Sequence, residues 1–214
     1  MRISHAHRFI FFARPKTGSS SVRQFLDPYT DLHPVKNFLE RTPENPFYPH
    51  MRPIEVRDEF TRRGWDFAGY TKFVFARNPW ARSVSLYRHI QQSEGDAGDF
   101  PDWVRGLANG GPGAGGDDSQ RWRKYGAYSL ENYVRDEEGR PLVDHVLRLE
   151  DLDAQLVPFL ARLGLEGLEE RVIPHSNDRA RGESYTTYYD DATRNRVTEL
   201  YREEVARFGY AFGL

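Results

Sequence analysis

The stretch Arg8–Leu26, RFIFFARPKTGSSSVRQFL, limits what this chain can fold into more than any other part of it. Phe9, Ile10, Phe11 and Phe12 form an apolar run without polar alternation, the pattern of a strand buried on both faces of a parallel sheet. Parallel strands are joined by crossovers, usually helical, so the run commits the chain to an α/β architecture. The run then breaks into a proline, a lysine, a glycine and three serines, and helical spacing resumes at Val22, Phe25 and Leu26. Gly18 lets backbone approach a ligand closely, and Ser19, Ser20 and Ser21 are expected to cap the helix. The unpaired N–H groups of the first turn, backed by the helix dipole, make that spot an anion site, and Lys16 adds a mobile charge. An exposed turn that merely caps a helix is the plainer alternative.

The same grammar recurs at Lys72–His89, KFVFARNPWARSVSLYRH. Phe73, Val74 and Phe75 make a second buried run. Asn78 suits an N-cap and Pro79 the first helical position, where its missing N–H costs nothing. Arg77 therefore leaves the carboxyl end of a strand, the edge at which open α/β sheets bind ligands. Ser85 lies about two turns into the helix. A helix packed back beside the loop brings the Arg77 guanidinium and the Ser85 hydroxyl onto one phosphate, a planar fork with a short donor. The alternative is an Arg77 ion pair and a solvent-facing Ser85.

The first loop is not the common phosphate loop G-x-x-x-x-G-K-[ST], because Lys16 precedes Gly18 and Ala13 stands where the first glycine belongs. PKTGSSS instead resembles the loop with which sulfotransferases hold the 5′-phosphosulfate of 3′-phosphoadenosine 5′-phosphosulfate (PAPS), and R-N-P-x-x-R-x-x-S resembles their 3′-phosphate motif. The resemblance spans about Phe9–Tyr210, is closest to the carbohydrate, Golgi-type enzymes, and suggests a soluble, bacterial-like form. It implies one sulfotransferase domain over residues 1–214 with a P-loop-like fold, an α/β arrangement of a mainly parallel central sheet flanked by helices. It implies PAPS as co-substrate, with Lys16, Thr17, Gly18, Ser19, Ser20 and Ser21 on the 5′ side and Arg77 and Ser85 on the 3′-phosphate. Lys16 would also act in catalysis, neutralising charge on the leaving phosphate. In such enzymes a histidine between the two motifs is the general base, and His50 stands in that place, with His33 as its rival and a solvent-facing or capping imidazole as the bland reading. The acceptor is a hydroxyl in preference to an amine. A glycan is favoured, while a lipid, a small metabolite or a peptide tyrosine fits the unmatched middle third equally well. Two other readings stay open: a P-loop-type kinase using ATP and magnesium, and a catalytically silent nucleotide-binding scaffold.

The rest of the chain adds exclusions. At 214 residues it suits one sizeable core and is short for two α/β domains. A net charge of −2 gives no general attraction to nucleic acid or anionic membrane, so positive field must be local, as around Arg8, Arg14, Lys16 and Arg23. Absence of cysteine removes disulfides and thiolate chemistry. No apolar run approaches the about 20 residues of a membrane span, and a cytoplasmic location is expected. No histidine pair or carboxylate cluster has metal-ligand spacing, so no metal is expected.

Asp27–Pro49, with prolines at 28, 34, 43, 46 and 49, is irregular, with a short strand near Leu32. A helix is expected from Pro53 to Gly64, a strand within Asp144–Glu150 carrying His145, and a helix from about Leu152 to Gly164. RLEDL resembles a late stretch of the sulfotransferase core, where Glu150 is a structural helix-entry acid. His5 and His7 lie near a terminus expected to fray, and His89 sits on the helix after Arg77. Ser93–Asp118 is loop, with a glycine-rich part at about 106–117 read as a surface insertion rather than a lid. Gln120–Tyr133 interleaves Trp122, Tyr125, Tyr128 and Tyr133 with Arg121, Arg123 and Lys124, which reads as amphipathic packing in preference to an acceptor platform. The tail predicts one helix from about Asp190 to Phe208, preceded by a basic loop in which, by the family resemblance, Arg179 or Arg181 would cover the 3′-phosphate, with a solvated charge run as the equal alternative.

Overall fold

The aromatic run of the first motif forms strand β2 (Phe9–Phe12), and all four of its residues are buried. It belongs to a computed structural model that describes residues 1–95, 98–107, 128–174 and 184–214. The chain divides into two units, Met1–Ala76 with Val134–Arg179, and Arg77–Tyr133 with Ala180–Leu214.

The first unit holds a four-stranded sheet in the order β1 (Arg2–Ser4), β2, β3 (Thr71–Ala76) and β4 (His145–Arg148). β1 is antiparallel to β2, with Ile3 opposite Ile10, whereas β2, β3 and β4 run parallel, with Phe11 opposite Phe73 and Val74 opposite Val146. Helices α1 (Ser19–Leu26) and α2 (Pro53–Arg62) follow β2 in the chain, so the expected α/β fold with a mostly parallel sheet flanked by helices is present. Phe9, Phe11, Phe73 and Phe75 share one face by the two-residue period and pack with Val22, Phe25 and Leu26 of α1. A later helix, Leu152–Arg162, adds Leu156, Phe159 and Leu160 to the same cluster. The Phe73 ring lies 5.2 Å from that of Phe11 and 4.9 Å from that of Phe159, centroid to centroid. Each such buried ring contributes about 1.5–3 kcal/mol, and a one-residue slip would move the whole row to the opposite face of the sheet, out of this cluster. The register of β2, and with it the position of the loop that leaves its carboxyl end, is therefore set by this core.

The amino end of the chain does not fray. Met1, Ile3 and Ser4 have no exposed surface. The Asp31 carboxylate accepts from the backbone N–H groups of His5 and Ala6, both at 2.8 Å, and Leu32 N donates to Ile3 O at 3.3 Å. The strand expected near Leu32 is this single bridge to Ile3. β1 escaped notice because three residues, RIS, carry too little periodicity to read.

The second unit contains α3 (Pro79–Glu94) and α4 (Phe100–Arg105), the latter a short helix capped by Asp99 inside the Ser93–Asp118 span expected to be loop, and the chain returns to the first unit through α5 (Leu130–Val134). Labelling the Leu152–Arg162 helix α6, the tail then forms α7 (Asp191–Leu200) and α8 (Arg202–Phe208). The single tail helix expected from sequence is thus interrupted at Tyr201 (φ −119°, ψ 27°), whose ring is buried with the Arg82 guanidinium 5.7 Å from its centroid. A one-residue interruption leaves the apolar spacing intact, which is why spacing alone does not register it. Trp80, Val84 and Tyr87 of α3 pack with Phe100, Val104, Val197, Tyr201 and Tyr210.

Asn78 caps α3 as expected. Its Oδ1 accepts from Trp80 N and Ala81 N at 3.1 and 3.2 Å, and its Nδ2 donates to the carbonyls of Ala211 and Leu214 at 3.2 and 3.3 Å. Asn78→Ala is expected to lower stability by about 1–2 kcal/mol, because it removes both the cap and two bonds to the chain's last residues. Chemical denaturation reads this as a lower midpoint with an unchanged slope.

Of the aromatic and basic run Gln120–Tyr133, Tyr128 and Tyr133 are buried core residues, whereas Arg121, Trp122, Arg123, Lys124 and Tyr125 lie outside the described residues. So do Arg179, Arg181 and, apart from Gly106 and Leu107, the glycine-rich loop. Among the described residues no helix is long and apolar enough to cross a membrane.

Candidate functional site

The loop between β2 and α1 is built from backbone constraints that its sequence only partly announces. Arg14 N donates to Phe12 O at 3.0 Å, and the buried Thr17 Oγ1 donates to Arg14 O at 2.9 Å, so the chain folds tightly after the strand. Lys16 (φ 64°) and Gly18 (φ 70°) both occupy the left-handed region, on either side of Thr17. For lysine that conformation costs of order 1–3 kcal/mol, and it persists only where the surroundings impose it. Backbone of this kind turns successive N–H groups inward and makes an anion-binding concavity.

Gly18, not a serine, is the N-cap of α1, and it offers no side-chain bond. The first intrahelical bond runs from Val22 N to Gly18 O at 3.4 Å. The three serines therefore occupy the first turn itself, where backbone N–H groups have no intrahelical acceptor. Ser19 and Ser21 are buried and Ser20 is exposed. The capping expected of these serines is replaced by glycine for a steric reason: a Cβ at residue 18 would run into Leu149 Cδ1, just past the end of β4.

His50 is brought to this loop. Its Nδ1 lies 2.6 Å from Ala13 O, and a carbonyl only accepts, so Nδ1 carries the proton and Nε2 is the basic nitrogen. Burial, then the positive charge of the Met1 amino group, with Arg23 and Lys16 adding to it, lowers its pKa to about 3 against the opposing effect of the Ala13 bond. The imidazole is thus a buried group with positive charges near it. His33 is exposed, and its carbonyl accepts from Asn45 Nδ2 at 3.0 Å.

Arg23 was read from sequence only as part of a local positive field. In the structure its side chain turns back along α1, with Nε on Ser19 O at 3.2 Å and Nη2 on Ser20 Oγ at 3.4 Å. Helical spacing carries that information, since positions three and four apart meet on one face.

In the second unit Arg77 is half-buried and directly precedes the Asn78 cap of α3. Ser85 is half-buried on α3, and no hydrogen bond of its hydroxyl to another described residue is seen, whereas the nearby Ser83 hydroxyl donates to Pro79 O at 2.8 Å.

A family model described as the sulfotransferase family matches residues 1–211. Among solved structures the chain is similar to a sulfotransferase from Alicyclobacillus acidocaldarius, with a TM-score of 0.53 and 18% identity over 94% of each chain, a likeness of fold. Comparison with curated proteins gives no match. Since the match to the family extends from the first strand through the last helix, with the glycine-serine loop inside it, the chain belongs to the sulfotransferase family, enzymes that transfer a sulfonate group.

Proposed function

We propose that this sulfotransferase moves the sulfonate of PAPS to a hydroxyl of a small-molecule or glycan acceptor, a carbohydrate in preference to the others, with His50 as general base. The observation that carries the reading is the 2.6 Å contact of His50 Nδ1 with Ala13 O, which ties a proton acceptor to the strained anion loop. The acceptor oxygen attacks sulfur in line as the bond from sulfur to the bridging oxygen of the 5′-phosphate breaks. The acceptor proton passes to His50 Nε2, and the bond pair stays on the bridging oxygen, which leaves as adenosine 3′,5′-bisphosphate. Lys16 neutralises charge growing on that oxygen. The N–H groups of Thr17, Gly18, Ser19, Ser20 and Ser21 and the serine hydroxyls hold the 5′-phosphate in a setting organised before the charge arrives, the Thr17 hydroxyl proton being engaged by Arg14 O. Arg77 and Ser85 take the 3′-phosphate, by their place in R-N-P-x-x-R-x-x-S, and so distinguish PAPS from ATP. Residues 1–214 act as one sulfotransferase domain, a reading supported by the span of the family match. The carbohydrate acceptor rests on the resemblance of the motifs to carbohydrate-type enzymes.

Calorimetric titration with adenosine 3′,5′-bisphosphate tests the donor site, with ATP and magnesium as the competing ligand. The bisphosphate is expected to bind in preference, and Arg77→Ala to weaken it by about 10- to 100-fold, the loss of a charged hydrogen-bonding fork. Preference for ATP with magnesium would sink the PAPS assignment.

A further inference from the structure

Arg23 is a cation without an ion-pair partner among the described residues. The carboxylate placed to pair with it by helical spacing is Asp27, four residues on. Asp27 is taken by Arg2 instead, whose Nε and Nη2 both lie 2.5 Å from Asp27 Oδ1. Arg23 forms no ion pair with any described residue, and its two hydrogen bonds, at 3.2 and 3.4 Å, go to the neutral Ser19 carbonyl and Ser20 hydroxyl. Burial, followed by the nearby charge of Arg2, pushes its pKa down, with Asp27 acting the other way. A guanidinium taken from water without an anion is costly, and a fold tolerates it where an anion arrives in use.

Its direction is as informative as its charge. Long side chains on a helix lean toward the amino end, so Arg23 reaches over Ser19 and Ser20, the first turn of the anion loop. Its charge also acts on His50. The guanidinium is therefore a neighbour of both the loop and the candidate base.

We propose that Arg23 is a further donor-binding residue, whose guanidinium takes an oxygen of the phosphosulfate beside Ser20 and stabilises the charge that collects on the 5′-phosphate as its bond to sulfur breaks. The inference rests on the loop's being the PAPS site. Lys16 brings a point charge to that end of the donor, and Arg23 brings a planar fork able to hold two oxygens at once. A purely structural Arg23, tying down its own helix through two long bonds to neutral partners, would contribute little and would not answer to the nucleotide.

The test compares the parent, Arg23→Gln and Arg23→Lys by calorimetric titration with two probes, adenosine 3′,5′-bisphosphate and adenosine 3′-monophosphate, which lacks the 5′-phosphate. Arg23→Gln is expected to weaken the bisphosphate about tenfold or more and leave the monophosphate unchanged, with Arg23→Lys in between. Parent-like affinity of Arg23→Gln for the bisphosphate overturns the proposal, and so does an equal loss for both probes. If thermal melting shows that Arg23→Gln does not fold, Arg23→Lys decides by the same criterion, because it keeps the charge and loses the fork. Failure of the parent to bind the bisphosphate would instead remove the donor site itself.

Discussion

Gly18→Ala is expected to lower the stability of the protein by about 1.5–3.5 kcal/mol and to weaken binding of adenosine 3′,5′-bisphosphate. Two costs add at this position. Gly18 sits at φ 70°, where an alanine pays about 1–2 kcal/mol for its Cβ. That Cβ would also meet Leu149 Cδ1, the tip of a half-buried side chain, and pushing it off its rotamer costs about 0.5–1.5 kcal/mol. Leu149 can relieve part of the collision by turning aside, and whatever strain remains moves the loop and spoils the row of N–H groups at the start of α1. A second variant separates the two costs. In a Leu149→Ala background the collision is gone, so Gly18→Ala should cost only the conformational part, about 1–2 kcal/mol. Denaturant midpoints of the four proteins give the cycle. Equal stability of Gly18→Ala and the parent would mean that the loop does not hold this left-handed turn.

The same glycine shows what could and could not be read from the chain alone. β2 and β3 were legible because four and three consecutive apolar residues without alternation leave few alternatives to a strand buried on both faces. The start of α3 was legible because Asn78 and Pro79 are local signals with local causes. The kinase and silent-scaffold alternatives are set aside by the family match, and the permuted order of Lys16 and Gly18 had already pointed that way. The cap of α1 was misread as serine because the deciding contact comes from Leu149, at the far end of β4, and no local pattern reports so distant a neighbour. His50 could be placed only by its order between the two motifs. Its bond to Ala13 spans 37 residues, and the irregular, proline-rich stretch between them gives no period from which to compute it. Arg23 was different, since its reach over Ser19 and Ser20 follows from helical spacing and could have been drawn from the sequence.

His50→Ala is expected to reduce kcat by about 10²- to 10⁴-fold while leaving the affinity for adenosine 3′,5′-bisphosphate intact, the signature of a lost general base rather than a lost ligand. The pH dependence gives an independent reading. In the free protein burial, and after it the charges of Met1, Arg23 and Lys16, hold the imidazole at about 3. Such a group is proton-free over the ordinary pH range but a weak base. A bound phosphosulfate brings negative charge among the same cations and must raise the pKa. The acid limb of kcat/KM, which reports the free enzyme, should therefore lie near pH 3, and that of kcat, which reports the loaded enzyme, should lie higher. Stability follows with a defined sign. The unfolded histidine takes its proton as the pH falls below 6.5 and the folded one only near 3, so the unfolded chain binds more protons in between. The contribution is full above pH 6.5 and is lost on acidification through that window, at up to about 1.4 kcal/mol per pH unit. His50→Ala should lack this slope. Unchanged turnover in His50→Ala would remove His50 from the mechanism, and coincident limbs for kcat and kcat/KM would show that the donor's charge does not reach it.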